Sequence, residues 1–401
     1  MFRPPFRAAL VAAAALLAAL GAQAQSLKIG VLNDQSGVQA DFAGPGSVLA
    51  ARMAIADHGG KAGGMPVELV VADHQNKADV GASIARRWFD NEGVEAIFDV
   101  PNSAVALAVS GIAKQKNKVA VISGGGTSDL TGKDCTPNTV HWTYDTWAQA
   151  NTVGTAITRN GNPTWYFITV DYAFGHALER DASESIKAAN GRILGTVKHP
   201  LGTADLSSFL LQAQASGAKV IGLGSAGADT VNAVKQASEF GIVQRGQRLA
   251  AMLMVLNDIN ALGLQAAQGL MLSEAFYWDL NEKTREWAKR YAAQNKGRYP
   301  NMVQAGVYAS VLHYLKSVDD AKGAKDGARV VAAMKARPTD DALFGKGSIR
   351  ADGRTIHDMY LFQVKSPAES KGPYDFYKLV GTVPAEQAFR PLAAGGCALA
   401  K

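Results

Sequence analysis

The stretch Val-Ala-Val-Ile-Ser-Gly-Gly-Gly-Thr-Ser, residues 119–128, decides the fold. Its four leading apolar residues favour a buried strand, and the glycines that follow end that strand in a tight turn. A helical pattern at 104–116 precedes it, and another apolar strand lies at 96–100. The order strand, helix, strand is typical of a parallel βαβ unit.

The same alternation extends in both directions. In the N-terminal part it predicts strands at 27–32, 67–72, 96–100 and 119–123, and helices at 48–57, 78–91 and 104–116. After Tyr144 it predicts strands at 165–170, 193–198, 220–224 and 249–255, and helices at 173–189, 206–216 and 228–240. An extended segment at 273–277, three helices at 282–295, 305–317 and 327–336, and strand-like pieces at 349, 360–364 and 376–379 complete the chain. We therefore expect two α/β lobes, with the three late helices covering the first lobe because alone they would expose their apolar faces.

The composition is that of a globular chain with a mild basic excess. The 401 residues are 47% hydrophobic and 19% charged, which suffices for two packed domains. The formal charge is +6, or +4 without Arg3 and Arg7, from 39 basic and 35 acidic residues. No run of five Lys or Arg occurs, so we expect neither a nucleic-acid partner nor an anionic membrane surface.

Residues 1–24 have the organisation of a secretory signal peptide. Arg3 and Arg7 precede thirteen apolar residues, 8–20, and residues 21–24 offer a small-x-small cleavage site. As an anchor helix, thirteen residues would span about 20 Å, short of the ~30 Å hydrocarbon core. We expect cleavage after Ala24 and a periplasmic protein without stable membrane insertion.

The two cysteines, Cys135 and Cys397, lie far apart in the sequence. In an oxidising compartment one disulfide between them is the natural pairing, and two unpaired thiols are the alternative. The seven histidines are scattered, so we expect no metal site and no cofactor.

Signatures of enzymes are mostly missing from the sequence. His-Glu-x-x-His, Gly-x-Ser-x-Gly and Cys-x-x-Cys do not occur, and Gly132-Lys133 lacks the rest of a P-loop. The turn 222–227 does match the dinucleotide pattern Gly-x-Gly-x-x-Gly. The acidic residue that would hold the ribose is not at the next strand end, since Glu239 lies in a helix and Asp258 comes 31 residues after Gly227. We expect a non-enzymatic protein and keep a nucleotide-binding enzyme as an alternative.

Three loops after predicted strands are candidates for ligand contacts. Pro101-Asn102-Ser103 and residues 124–128 place small hydroxyls and backbone amides at helix entrances, where an anion is favoured. The loop 171–175, Asp-Tyr-Ala-Phe-Gly, places two aromatic residues at a strand end of the second lobe. Helix caps, turns and plain packing are the alternative explanations for these loops.

At these loops the sequence resembles the periplasmic solute-binding proteins of ABC transporters, in the branched-chain amino-acid (Leu/Ile/Val) binding branch. The resemblance covers nearly the whole chain after residue 24 and rests on residues 28–31 with Gln35-Ser36-Gly37, on 122–127, on 171–175, and on 234–237 with Gly241.

The resemblance implies the type I periplasmic-binding fold, an α/β fold of two Rossmann-like lobes with parallel sheets joined by three crossovers. We expect a first lobe at 25–144 with 279–345, a second lobe at 145–278 with 346–380, and a C-terminal tail at 381–401. The function implied is capture of a small ligand between closing lobes by a monomer, which then docks on a membrane permease.

The resemblance also implies the ligand contacts. Carboxylate binding falls to the first-lobe loops, through Asn102, Ser103, Gly125, Gly126 and Thr127. From the second lobe, Tyr172 faces these residues, and we add Ser225 from the turn at 222–227.

The sequence departs from the amino-acid binders of this family in one respect. Those proteins hold the ligand ammonium with an acidic residue of the second lobe, whereas residues 249–256 contain none. An unpaired ammonium in a closed cleft is costly, so we expect an aromatic or other hydrophobic carboxylate first and a branched-chain amino acid second. A periplasmic sensing subunit is a further alternative.

Overall fold

A computed structural model describes residues 26–400 of the chain. The expected signal peptide, residues 1–24, lies outside the described residues. No helix among residues 26–400 is long and apolar enough to cross a membrane.

A six-stranded sheet forms the centre of what we call the first lobe. Its strands are β1 (Leu27–Asn33), β2 (Lys61–Ala62), β3 (Met65–Asp73), β4 (Val94–Asp99), β5 (Val119–Ile122) and β6 (Thr139–His141). They stand in the order β2-β3-β1-β4-β5-β6, and every pair except the short β2–β3 pair is parallel. The helices between these strands are α1 (Gly44–Asp57), α2 (Ala78–Asp90) and α3 (Ser103–Gln115). β5 is wholly buried, which explains its run of four apolar residues.

A second parallel sheet forms the centre of the second lobe. Helix α4 enters this lobe through three contiguous segments, Thr146–Gln149, the π-helical Ala150–Gly154 and Thr155–Arg159. The strands are β7 (Thr164–Val170), β8 (Arg192–His199), β9 (Val220–Gly224) and β10 (Arg248–Ala251), in the order β10-β9-β7-β8. The helices that follow are α5 (Ala173–Ala188), α6 (Ser207–Ala215), α7 (Ala228–Glu239), α8 (Leu256–Leu262) and α9 (Leu264–Ala267).

The chain then returns to the first lobe, as expected from the three late helices. β11 (Met271–Glu274) precedes α10 (Glu282–Gln294), α11 (Met302–Asp320) and α12 (Gly327–Ala336). The Tyr314 ring of α11 packs edge-on against Phe98 of β4, with ring centroids 5.3 Å apart. The Tyr308 hydroxyl donates to Asp57 Oδ2 at 2.7 Å, at the end of α1.

Short strands lead back to the second lobe. They are β12 (Thr339–Asp341), β13 (Gly345–Ile349), β14 (Thr355–Ile356), β15 (Met359–Val364) and β16 (Tyr377–Val383), followed by α13 (Ala385–Ala388). β15 pairs antiparallel with both β11 and β16. Phe362 and Tyr377 pack in one cluster with Ile168 and Leu223 of the second-lobe sheet. Because β16 runs to Val383, the residues after the last strand begin at 384 rather than at the expected 381.

The structure also contains a helix that the sequence pattern did not predict. α4 is rich in β-branched residues, such as Thr152, Val153 and Ile157, which have low helix propensity. Its stability comes from burial: Val153 packs with Ile186 of α5 in the main core. The predicted strand at 249–255 is similarly too long, because the chain leaves the sheet at Ala251.

A buried arginine joins two of the segments that cross between the lobes. Arg354 is fully buried and donates from Nη2 to the carbonyl of Trp142 at 2.6 Å and from Nη1 to that of Tyr144 at 2.9 Å. Its guanidinium also lies 4.2 Å from the centre of the Phe389 ring. The first crossover, after β6, is therefore held to the last one, before β15.

Candidate functional site

The end of strand β4 has a strained backbone and holds the glycine loop at 124–127 against the loop at 101–103. Asp99 and Val100 both have positive φ, at 76° and 48°, which is rare for residues with a side chain and especially for valine. This conformation turns the Asp99 carbonyl toward the amides of Ser123 and Gly124, which donate to it at 3.1 Å each. Such strain persists only where surrounding structure fixes it, and it is frequent at ligand sites.

The carbonyl groups of the glycine loop all have donors. Tyr144 donates its hydroxyl to the Gly124 carbonyl at 2.6 Å, the His141 ring contacts the Gly125 carbonyl at 2.7 Å, and the Thr146 amide donates to the Gly126 carbonyl at 2.8 Å. In a trans peptide the next N–H points away from the carbonyl. The amides of Gly125 and Gly126 therefore point to the side of the loop opposite the groups that bond to its carbonyls.

Those amides and two hydroxyls form a set of unpaired donors. Within residues 26–400, neither the Gly125 amide nor the Gly126 amide donates a hydrogen bond to a protein acceptor. Ser103 Oγ accepts from the Thr127 amide at 3.1 Å, and Thr127 Oγ1 accepts from the Asp129 amide at 3.3 Å. Since each hydroxyl uses a lone pair there, its own proton stays available. Four donors in one buried place, at the N-terminus of α3, suit a carboxylate.

Asn102 supports this arrangement by capping the helix that begins with Ser103. Its Oδ1 caps α3 by accepting from the amides of Ala104 and Val105, at 3.0 and 3.2 Å. The cap fixes where Ser103 begins the helix.

Burial shifts the pKa values of two ionisable residues near the glycine loop. Burial lowers the pKa of His141 well below its usual value, and the charge of Arg354 adds to this effect. Its ring is therefore neutral and donates from Nε2 to Gly125. Burial raises the pKa of Asp99 to about 6, although Asn33 Nδ2 donates to its Oδ2 at 2.9 Å. Asp99 Oδ1 has no partner among the described residues and lies 2.8 Å from where a Cβ on Gly124 would be.

Aromatic rings of both lobes border the glycine loop. A Cβ on Gly126 would lie 2.8 Å from the Tyr144 ring and 2.9 Å from the Phe174 ring, so only glycine fits between them. The Phe174 ring is 6.2 Å from the Tyr172 ring, centroid to centroid. Tyr172 accepts a hydrogen bond at 3.2 Å from Gln39 Nε2, so its hydroxyl contacts the first lobe.

Asp229 is an acidic residue of the second lobe that the sequence analysis missed. It is 1% exposed, in the first turn of α7, and its Oδ2 accepts from the Gly202 amide at 3.0 Å. Burial raises the pKa of Asp229. Burial is the main cause that raises the pKa of Tyr172, and the negative charge of Asp229 raises it further. In the sequence, Asp229 is an acidic residue at the start of a helix that follows a strand. Its hydrogen-bond partner, the Gly202 amide, lies 27 residues away along the chain.

Ser225 lies in the turn before α7, and its hydroxyl pairs with Thr230 Oγ1 at 2.9 Å rather than with a group of the first lobe. The Ala228 amide at the N-terminus of α7 donates to the Val38 carbonyl of the first lobe at 3.1 Å. A dinucleotide would need that helix entrance for its pyrophosphate. The geometry thus gives the nucleotide alternative no support.

The two lobes contact each other in a closed arrangement. Besides the Val38–Ala228 contact, Asn301 Nδ2 of the first lobe donates to Asn257 Oδ1 of the second at 2.6 Å. Two open cavities, of about 570 and 600 Å³, lie elsewhere in the molecule, and none of the predicted ligand residues lines them. In the described part of the chain, no cluster of His, Cys, Asp or Glu is arranged to hold a metal ion.

Comparisons with known proteins agree on one family and one fold. A family model for periplasmic binding proteins matches residues 26–373. A solved periplasmic binding protein from Burkholderia mallei is 49% identical with a TM-score of 0.91, over 94% of this chain and 99% of its own. A branched-chain amino acid ABC transporter periplasmic ligand-binding protein from Burkholderia xenovorans LB400 is 42% identical with a TM-score of 0.83, over 94% and 100% of the two chains. A solute-binding protein of an ABC transporter from R. palustris, solved with benzoate, has the same fold at 18% identity, with a TM-score of 0.81 over 90% and 97% of the chains. A search of curated protein sequences gives no significant match.

Proposed function

The chain belongs to the periplasmic binding protein family, and on that premise we propose that it captures a small hydrophobic or aromatic carboxylate between its lobes for an ABC importer. The observation that carries this proposal is the set of four unpaired donors at Ser103, Gly125, Gly126 and Thr127. A single carboxylate can accept from all four, because its two oxygens offer about four lone pairs.

The proposed binding mode has two steps. The carboxylate first binds the first lobe through these four donors, at the entrance of α3. The second lobe then closes, and Tyr172 with Phe174 covers the apolar part of the ligand. Affinity depends on the closing equilibrium as well as on these contacts.

We propose the remaining features on the same basis. The mature protein starts at Gln25 in the periplasm, acts as a monomer without enzymatic activity, and delivers its ligand to a membrane permease. The lobes comprise 25–144 with 279–345, and 145–278 with 346–383. The 42% identity to an ABC transporter ligand-binding protein supports the transport role over a sensing role.

A branched-chain amino acid is the second candidate ligand, and Asp229 favours it. The buried carboxylate of Asp229 and the Tyr172 hydroxyl lie on the second-lobe side, where a ligand ammonium would need a negative partner. A hydrophobic carboxylate without an ammonium group would not pair with Asp229.

A thermal-shift screen of the mature protein against benzoate, 4-hydroxybenzoate, L-leucine, L-isoleucine and L-valine tests the proposal, with calorimetry on every hit. We expect a carboxylate without an ammonium to give the largest shift. If the amino acids bind instead, Asp229→Asn should abolish their binding. No shift from any acid, together with turnover of NAD or ATP, would contradict the proposal as a whole.

A further inference from the structure

The C-terminal segment after β16 makes contacts with both lobes. Near its start, the Gln387 carbonyl accepts from Asn151 Nδ2 of α4 in the second lobe, at 2.9 Å. Further on, Arg390 Nη2 donates to the Ser128 carbonyl of the first lobe at 2.9 Å. The segment therefore runs from the second lobe to the first.

A disulfide fastens the end of this segment to the first lobe. Cys397 is bonded to Cys135, with their Cα atoms 5.6 Å apart. Cys135 lies between β5 and β6 of the first-lobe sheet. A Cβ on nearby Gly132 would lie 2.6 Å from Arg390 Nη2 and 2.8 Å from the Gly395 carbonyl, so the two segments pack in direct contact.

The first-lobe segment that is held in this way continues the glycine loop. Ser128 follows Thr127 directly and begins a 3-10 turn, Ser128–Thr131. The same turn contacts α5 of the second lobe: Ser128 Oγ donates to Asp181 Oδ2 at 2.7 Å, and Arg180 pairs with Asp129 at 3.0 Å. The ligand loop, the second lobe and the C-terminal segment thus meet at one turn.

We propose that the Cys135–Cys397 disulfide makes the C-terminal segment a fourth covalent connection between the lobes, which limits how far the cleft opens and thereby raises ligand affinity. Three crossovers already join the lobes through the main chain. A further covalent link that spans the lobes restricts the more open conformations, because in those the linked segments would lie further apart. Because ligand binds the closed state, fewer open conformations mean a larger closed fraction and a lower apparent Kd. The affinity part of this inference rests on the proposed function, and the opening part does not.

The opening part is tested on the ligand-free mature protein by small-angle X-ray scattering. Oxidised wild type is compared with wild type in dithiothreitol and with the double variant Cys135→Ser, Cys397→Ser. We expect a larger radius of gyration for the reduced protein and for the variant than for the oxidised protein. The variant is insensitive to dithiothreitol, which controls for other effects of the reductant.

The affinity part is tested by calorimetry with benzoate and L-leucine as probes. Loss of the disulfide should weaken binding of whichever probe binds by about three- to tenfold, and saturating probe should bring all samples to the same radius of gyration. A lower melting temperature with an unchanged ligand-free radius and unchanged affinity would overturn the proposal and leave the disulfide as a stabilising link only. If neither probe binds, the proposed ligand class fails, while the scattering of the ligand-free protein still decides whether the disulfide limits opening.

Discussion

The main-chain carbonyl of Val38 in the first lobe lies 3.1 Å from the amide of Ala228 in the second and accepts its hydrogen bond. The loop that presents Val38 is fixed by Asp34, whose Oδ1 accepts from the Gly37 amide at 2.6 Å and whose Oδ2 accepts from the Gln39 amide at 2.8 Å. The acceptor on the first lobe is thus positioned by a residue of the same lobe, independently of the second lobe.

Gly227→Ala should prevent full closure of the lobes. Gly227 has a φ of 59°, and a Cβ there would lie 2.5 Å from the Val38 carbonyl oxygen, so a methyl group would push the first lobe away. We expect at least a tenfold loss of ligand affinity by calorimetry. The control is Gly241→Ala, with a similar φ of 65° but no closer neighbour than the Gln244 side chain at 3.8 Å. Equal losses in both variants would attribute the effect to backbone strain instead of closure.

Thr127→Val should weaken binding of the ligand carboxylate. Valine keeps the volume of threonine but removes both the hydroxyl proton for the carboxylate and the oxygen that accepts from the Asp129 amide. Thr127→Ser, which keeps the hydroxyl, is therefore the matched control and should bind nearly as the wild type does. A hydrogen bond to a charged group contributes about 1.5–3 kcal/mol, so calorimetry should show a loss of roughly tenfold or more. Thr131→Val, in the same segment but outside the donor set, should bind as the wild type does. An unchanged affinity in the Thr127→Val variant would remove the hydroxyl from the site.

Asp99→Asn should make ligand affinity independent of pH between 5 and 8. The raised pKa of Asp99, about 6, means that its carboxyl is mostly neutral at pH 5 and charged at pH 8. A negative charge behind the Gly124 position repels a ligand carboxylate. Calorimetry should therefore give binding of the wild type that is about three- to tenfold tighter at pH 5 than at pH 8. Asparagine favours positive φ at least as well as aspartate, so the strand end is preserved. The same pH dependence in both proteins would assign it to another group.

The sheets could be predicted from the sequence, whereas much of the site could not. The apolar run Val119–Ile122 is wholly buried, and burial on both faces is the reason that such runs predict parallel strands. Ser103 and Thr127 lie in the loops that follow neighbouring strands β4 and β5, so local pattern was enough to predict that these loops meet, and Ser103 Oγ accepts from the Thr127 amide.

The residues that hold the site in place depend on contacts that no local pattern encodes. Arg354 bonds to Tyr144 across 210 positions, and Asp229 bonds to Gly202 across 27. Nothing in the residues around Arg354 indicates that its side chain would be fully buried. The position of Ser225 beside a glycine turn indicated a ligand contact, but its hydroxyl bonds to Thr230 one helical turn further on.

Arg354→Met should destabilise the protein strongly. The guanidinium satisfies the buried carbonyls of Trp142 and Tyr144, and methionine would leave both without a donor. Arg354 Nη1 also lies 3.7 Å from Oδ2 of the buried Asp145, and breaking a buried ion pair by removing one partner costs about 3–5 kcal/mol, which urea unfolding would measure. Arg337→Met removes a half-exposed pair with Asp320 and should cost less than about 1 kcal/mol. Similar losses in the two variants would show that Arg354 does not hold the crossovers together.

Glu274→Gln should remove most of the loss of stability that the wild type shows as the pH rises from 7 to 9. Glu274 is buried on β11, and its Oε1 accepts from the Tyr377 hydroxyl at 2.7 Å. Burial raises the pKa of Glu274 to about 8, against 4.5 when unperturbed. The folded protein therefore keeps a proton that the unfolded chain releases, so its stability falls as the pH rises from 4.5 through 8.

Asp258, whose pKa burial raises to about 7, contributes to the lower part of this window, so the change between pH 7 and pH 9 reports mainly on Glu274. Glutamine retains an acceptor for Tyr377 and carries no charge, so between pH 7 and pH 9 the urea midpoint of the variant should fall much less than that of the wild type. The exposed Glu286→Gln change is the control and should follow the wild type; a parallel fall in the Glu274 variant would mean that another group takes up the proton.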